Sequence, residues 1–578
     1  MSRRIPLSYL LSEGVRYQYR RWAVDMGGAA RAMNLKGGKP AIFHDVKPSF
    51  LYGQPALAEA MLKGHFSYAG QKLDVGAQGD PWTVAVPSTK FATWLHGFEW
   101  LDDFGVSRDK NAAIRARSLV DKWIAVYGKW NPFSWEPDVL TERLYHWLAV
   151  WSPLLTGDNL SDEAQARRSS VMRQLKRLRS TYKRTSPGIM RLKAAAVLAM
   201  GGARLKEKSD GFLGRGLDWL DDEIEVQILP DGGHVSRAPG QAVEALEILL
   251  TLDSLLQARG VEGSRAMSRA IDRLAPVVHF FTAADGTLVN FNGSGEGDKA
   301  RLKALRKAAP NTTAKSFGYC PHTGYQRIEA DGTVLIVDTG ETAPRPFDDK
   351  THLAPLAFEL STELGRLVVN CGWNNAQPQS FRRAVRATAA HSSLILNEKS
   401  AGRLLKEGWA SKRLGEIVAV AAGPVSAKRK EQVSGTWLES SHEGYREDTG
   451  LSHRRRFYMS IEGDDIRGED SLYVPLGGVP LSNTEIPFQI RFHFHPDVRV
   501  SLSQDQQSAL LVQGGKAGWR FRTDGGLLKI EDSVYLGQGH RPVKCQQIVI
   551  SGRAFCDSDG ETRSNRVRWS FRKLEARK

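Results

Sequence analysis

Two hydrophobic periods divide the chain. Up to about residue 308 the apolar positions recur at helical spacing, and beyond about 316 they alternate. TWLHGFEWLDDF (93–104) places Trp94, Phe98 and Leu101 on one helical face. AAIRARSLVDKWIAVYGKW (112–130) does the same with Ile114, Leu119, Val120, Trp123 and Ile124. Further helical patterns cover 140–155, 167–184, 189–206, 241–258 and 264–282, with Gly, Pro and Asp between them. Residues 8–34 read as an Arg-rich amphipathic helix. Residues 40–90 read as irregular, with short strand-like pieces such as Phe66-Ser-Tyr-Ala.

The second half predicts strands at 333–340, 366–372, 392–398, 416–423, 454–463, 488–496, 508–513, 519–524, 546–554 and 566–574. Gly and Asp turns at short, regular spacing make this a large antiparallel β-sandwich. Between the halves, Phe291 to Val337 holds a Gly-rich loop (Asn292 to Gly297), one short helical pattern and the first strand. A cleft between two such halves is the natural seat of a ligand.

At 578 residues the chain exceeds a single ordinary core, so two domains are expected, 1–308 and 309–578. A net charge of +16 favours an anionic partner: nucleic acid, a membrane surface or a polyanionic glycan. Without a helix-turn-helix, zinc-finger or RNP pattern, nucleic acid rests on charge alone. All four cysteines lie in the second half with no CxxC pair. They read as reduced, buried thiols, with a Cys545–Cys556 disulfide as the alternative. The basic N-terminus leads into an apolar run that Ser12, Glu13 and Arg16 soon break. This reads as neither a signal peptide nor a membrane span, so a cytoplasmic protein is expected, with the periplasm as the alternative.

Candidate chemistry sits in two loops and on the strands. LPDGGHVSRAPG (229–240) packs a turn, His234, Arg237 and a helix-starting Pro239 into few residues. Asn290 to Gly297 lets backbone approach a ligand closely, but lacks the Walker A ending and any preceding parallel-strand pattern. Glu296 there is either an acid or a charge at the next helix start. Tryptophans of the first half either pack in the core or stack on sugar rings. The basic run 167–184 is either a solvated helix face or an attractor for a polyanion. His493 and His495 face one side of a strand, as a metal half-site or a surface pair. His391 with His442 is the other candidate metal pair, for a structural Zn or Ca.

The order of these features resembles the heparinase II/III-like proteins. The resemblance rests on HGFEWLDDF, LPDGGHVSRAPG and FNGSGEGD in the first half. In the second it rests on HTGYQRI (322–328), LAFELSTELGRLVVNCG (356–372), AHSSLIL (390–396) and HEGYREDTGLSHRRRFYMS (442–460). It implies an incomplete α/α toroid followed by a β-sandwich, with a polysaccharide cleft between them. It also implies β-elimination on a uronate-containing glycan, with no cofactor required. A carboxylate-neutralising group, a base and an acid are then needed. Carried onto this chain, the neutralising loop is His234 to Gly240, with His234 and Arg237 as its groups. The sandwich histidine is His391, with His442 as partner. Phe291 stands where the family's toroid tyrosine is expected, Ala238 and Gly240 where a polar group is expected, and Ser392-Ser393 where an acid follows the histidine. Tyr325 or Tyr445 would then supply the phenol. Asn290, Asn292, Glu296, Trp94 and Trp100 would hold substrate. The alternative is a protein of the same fold that binds an anionic glycan without cutting it.

Overall fold

A computed structural model of the chain describes residues 41–156, 161–206, 211–309, 317–478, 485–556 and 565–574. The helix expected at 8–34 lies outside them. The first half is helical: Pro55–Leu62, Thr89–Gly97, Leu101–Val106, Lys110–Tyr127, Pro137–Ala149, Asp162–Thr181, Ile189–Arg204, Phe212–Gln227, Pro239–Ala258, Arg265–Phe280 and Lys299–Ala308. The strand-like piece expected at Phe66-Ser-Tyr-Ala forms a small hairpin, His65–Tyr68 with Gln71–Asp74.

Two differences from the periodicity have clear causes. The expected 93–104 helix is two helices. Phe98 adopts a left-handed φ of 61°, its N–H caps Leu95, and the turn drives Phe98 and Trp100 into the core. The Phe212–Gln227 helix falls outside the expected helical patterns, in the span between 189–206 and 241–258. In the fold, a Cβ on Gly216 would meet the backbone N of Ala199 at 2.4 Å. Glycine there lets two helices pack backbone to backbone. Ile114, expected on a buried face, is exposed, while Leu119, Val120 and Trp123 are buried.

The second half is two stacked antiparallel sheets. One has eight strands, in the order Val425–Gln432, Gly435–His442, Ser452–Ser460, Asp465–Tyr473, Arg566–Lys573, Ala517–Thr523, Ser508–Gln513, Val498–Leu502. The other runs Leu528–Tyr535, Val543–Phe555, Glu485–Phe494, Gly365–Val369, Phe358–Thr362, Thr333–Asp338, Tyr325–Ala330, Tyr319–Cys320, with Leu394–Leu396 also on Glu485–Phe494. Phe358, Phe457, Phe492, Phe521, Trp569 and Phe571 fill the space between them. The strand expected at 416–423 shrinks to Val418–Val420. Cys320, Cys371, Cys545 and Cys556 are all free and buried, so the alternative disulfide is not formed.

Candidate functional site

The loop after Phe212–Gln227 closes on itself before it reaches the sandwich. His234 is buried, its Nδ1 2.8 Å from Ser236 Oγ and its Nε2 3.0 Å from Gln227 Oε1. Burial pulls it down to about 3, so the imidazole is neutral. Asp231 accepts from the backbone N–H groups of His322 and Thr323 at 2.8 and 2.7 Å. Arg237 adopts a left-handed φ of 61°, which sends its side chain across the junction. There Nε donates to Thr323 O (2.7 Å), Nη1 to Glu341 O (2.6 Å), and Nη2 to Gly324 O (3.2 Å) and the Asp338 carboxylate. The expectation that His234 and Arg237 neutralise a substrate carboxylate therefore needs correcting. Both are shut from solvent, and Arg237 has spent its donors on the sandwich.

The Gly-rich loop forms the other half of the junction. Asn292 (φ 48°) donates from Nδ2 to Tyr325 Oη at 2.6 Å, and its Oδ1 accepts from His352 N at 2.9 Å. His391 Nδ1 lies 2.9 Å from Ala387 O, so it carries the proton and leaves Nε2 bare. His352 Nδ1 lies 2.8 Å from that Nε2 and 3.1 Å from the Asn292 backbone N–H, and His352 Nε2 accepts from Gly293 N–H at 3.0 Å. Burial holds His391 down to about 4 and His352 well below the usual range, so both rings are neutral. Tyr325, Asn292, His352 and His391 thus form one hydrogen-bonded run. His352 carries no motif in the sequence, and its place in the run comes only from the fold. Lys350 packs over Gly293 and has no ion-pair partner among the described residues.

Other expected residues have different posts. Asn290 Nδ2 donates to Tyr535 Oη (2.6 Å), which donates to Glu296 Oε1 (2.6 Å). His495 Nε2 lies 3.2 Å from the same carboxylate and Arg366 Nε 3.8 Å. Burial alone would raise Glu296, but His495, Arg366 and Tyr535 outweigh it and hold it at about 2. It is an ionised tie between the halves, not a proton donor at neutral pH. Phe291 is buried against the Tyr325 ring, 5.4 Å between centroids. Tyr445 is buried in the sandwich and donates to Leu394 O at 2.7 Å, away from the run. The expected metal pair does not meet: His391 bonds His352, whereas His442 bonds His453, which bonds Asp470. Nor do His493 and His495 form a half-site: His493 sits 2.8 Å from Ser533 Oγ, and His495 faces Glu296. Among the described residues no group of three or more His, Cys, Asp and Glu could hold a metal ion.

Beside the junction the toroid has a charged recess. Lys193 Nζ bridges Glu142 (2.8 Å) and Glu244 (2.9 Å), His146 bridges Asp102 (2.8 Å) and Glu142 (3.6 Å), and Arg301 pairs with Glu247. Glu99 is open to water, yet burial pushes its carboxyl up, as expected of a side chain in a depression. Burial would raise Glu142, but Lys193 and His146 bring it to about 2. His146 goes the other way: Asp102 and Glu142 overcome burial and hold it at about 10. The carboxylates here outnumber the cations, so the chain's net positive charge is not concentrated in this recess. Trp94, half-buried, stacks on Tyr68 at 5.2 Å, and Tyr68 is raised by burial and by Glu99 and Glu142. Trp100, 1% exposed, is core and holds no substrate.

Comparison with known proteins supplies the context. The description "Heparinase II/III-like, C-terminal" matches residues 312–570. FtsZ-localized protein C of Caulobacter vibrioides (strain NA1000 / CB15N) is 34% identical over 538 residues, covering 92% of this chain and 90% of that protein. Heparinase III superposes with a TM-score of 0.67 at 15% identity, covering 99% of this chain and 93% of the other. Heparan sulfate lyase HepC from Pedobacter heparinus gives 0.59 at 14% identity, covering 96% and 89%. The helical toroid followed by a β-sandwich is the fold of these lyases.

Proposed function

The chain belongs to the heparinase II/III-like family, and on that premise we propose that it acts as a polysaccharide lyase on a uronate-containing glycan at the toroid–sandwich junction. The observation that carries this reading is the run Tyr325–Asn292–His352–His391, which joins a phenol, a carboxamide and two neutral imidazoles across the two halves. β-Elimination needs a base for the C5 proton, a donor or cation for the carboxylate and developing enolate, and an acid for the leaving oxygen, which in this reading is the protonated Tyr325 phenol. His352 is the base in this reading. Its Nε2 lone pair becomes free when substrate displaces the Gly293 N–H. His391 positions it, with its Nε2 2.8 Å from His352 Nδ1. Lys350, beside Gly293, neutralises the uronate carboxylate. Substrate must open these internal hydrogen bonds to reach the run, so part of its binding energy goes into that opening.

The test is ultraviolet absorbance of unsaturated uronates with a panel of heparan-type, chondroitin-type, alginate and bacterial acidic polysaccharides. We expect a rise with one of them, abolished in His352→Ala and His391→Ala while both variants melt as the parent does. Full activity in both variants would sink the assignment. A second reading, binding without cleavage, is favoured by Phe291 in place of a phenol and by the internal partners of every group in the run. Retention on an immobilised acidic polysaccharide, with no absorbance change across the panel, would select it. By likeness to FtsZ-localized protein C, localisation with FtsZ is a further part of the proposal, read by fluorescence co-localisation in cells.

A further inference from the structure

The outer face of the eight-stranded sheet, which carries no residue of the junction run, forms an open depression of about 700 Å³. Six arginines line it, Arg456, Arg467, Arg520, Arg522, Arg568 and Arg572, against three carboxylates, Asp465, Glu469 and Asp524. Trp437 and Tyr458, neighbours in register with ring centroids 4.7 Å apart, line the same depression.

Some of these arginines are already committed. Arg467 binds Asp465 through Nε (3.0 Å) and Nη2 (2.6 Å), Arg456 binds Glu439 (2.6 Å) and Glu469 (2.9 Å), and Arg568 binds Glu469 (3.1 Å). Arg520 and Arg572 are different. They face each other in register on adjacent strands, both are exposed, and neither has an ion-pair partner among the described residues. Asp465, opposite Arg572 on its other side, is taken by Arg467. Like charges directly opposed across a sheet destabilise it. A sheet that keeps such a pair in the same depression as an exposed tryptophan has an arrangement suited to a ligand rather than to folding.

We propose that this face is a second binding site for an anionic polysaccharide chain, separate from the junction. Arginine forks receive its sulfates or carboxylates. Asp465, Glu469 and Asp524 accept from its hydroxyls, and Trp437 offers a ring for a sugar face. Hydroxyl donors for these carboxylates are abundant on a sugar chain and scarce on a nucleic-acid backbone. The inference rests on the anionic glycan of the proposed function for its ligand class, but not on cleavage. A chain held here is kept on the protein by the basic face that the toroid recess lacks.

The experiment uses the full chain and a fluorescein-labelled heparin-derived octasaccharide, read by anisotropy. Arg520→Ala/Arg572→Ala is expected to weaken binding about ten-fold or more, with an unchanged melting temperature and a shallower salt dependence. Unchanged affinity in this variant overturns the site, whatever the absorbance assay shows. Weakened affinity supports it, with or without cleavage. Displacement of the probe by a single-stranded oligonucleotide of equal charge, at lower concentration than unlabelled octasaccharide, would overturn the glycan in favour of nucleic acid.

Discussion

The junction and the outer sheet face are both built on arginine, and they use it in opposite ways. At the junction, Arg237 and Arg366 are buried and fully engaged. Arg366 donates to Thr287 Oγ1 at 2.9 Å, to Glu359 at 2.9 Å and to Leu288 O, so it ties the Gly-rich stretch to a sandwich strand. Behind it, Arg455 sits fully buried on Asp470 and donates to Leu356 O and Ser392 O, next to His391. On the outer face, Arg520 and Arg572 have water and each other. A net charge of +16 therefore does not say where an anion binds. What matters is which cations remain uncommitted after folding.

The largest effect should come from breaking a committed arginine. Arg237→Ala removes the cation opposite Asp338 and three further donor contacts, leaving a buried carboxylate without its ion-pair partner. We expect a loss of about 3–5 kcal/mol, read as a lower denaturant midpoint. Arg237→Lys keeps the charge but not the fork, and should recover only part of it. A wild-type midpoint for Arg237→Ala would erase the contrast between the two regions and reopen Arg237 as a substrate contact.

The toroid recess lies between these extremes, half open and with its carboxylates in excess of its cations, and pH probes it. His146 stands at about 10 in the fold against an ordinary 6.5. Because its folded value is raised, its contribution to stability is complete below about pH 6.5 and is lost as pH rises toward 10. Melting temperature should therefore fall across that window, and His146→Gln should flatten the fall. An unchanged slope would mean that His146 is not held by Asp102 and Glu142.

These contrasts were only partly legible in the sequence. The change of period near residue 308 marks where the helices end, because burying one face of a helix or a strand writes its own spacing into the chain. Edge strands escaped that logic: Val425–Gln432 is largely exposed, so its residues follow no alternation. The Phe212–Gln227 helix escaped it because its glycines serve packing between helices. At the site, residue types were readable but their commitments were not. Nothing near Arg237 in the sequence announces Asp338, one hundred and one residues away, as its partner. His352 has no motif and matters only because the fold places it against Gly293 and His391. On the outer face, RVRWSFRKL reads as one more alternating strand. The opposition of Arg572 to Arg520 is a property of sheet register, which the sequence does not state.

That register makes the smallest and most discriminating prediction. Arg520→Glu places a carboxylate directly opposite Arg572 and turns a like-charge pair into an ion pair. A cross-strand pair of opposite charge is worth about 0.2–1 kcal/mol, so the variant should be slightly more stable than the parent while binding the octasaccharide less well. Stability and binding then move in opposite directions at one position, as expected when a cation is held unpaired for a ligand. At Arg237, whose donors the fold has committed, substitution lowers stability instead. If Arg520→Glu instead lowers the denaturant midpoint, Arg520 has a structural partner, and the outer face is another committed surface like the junction.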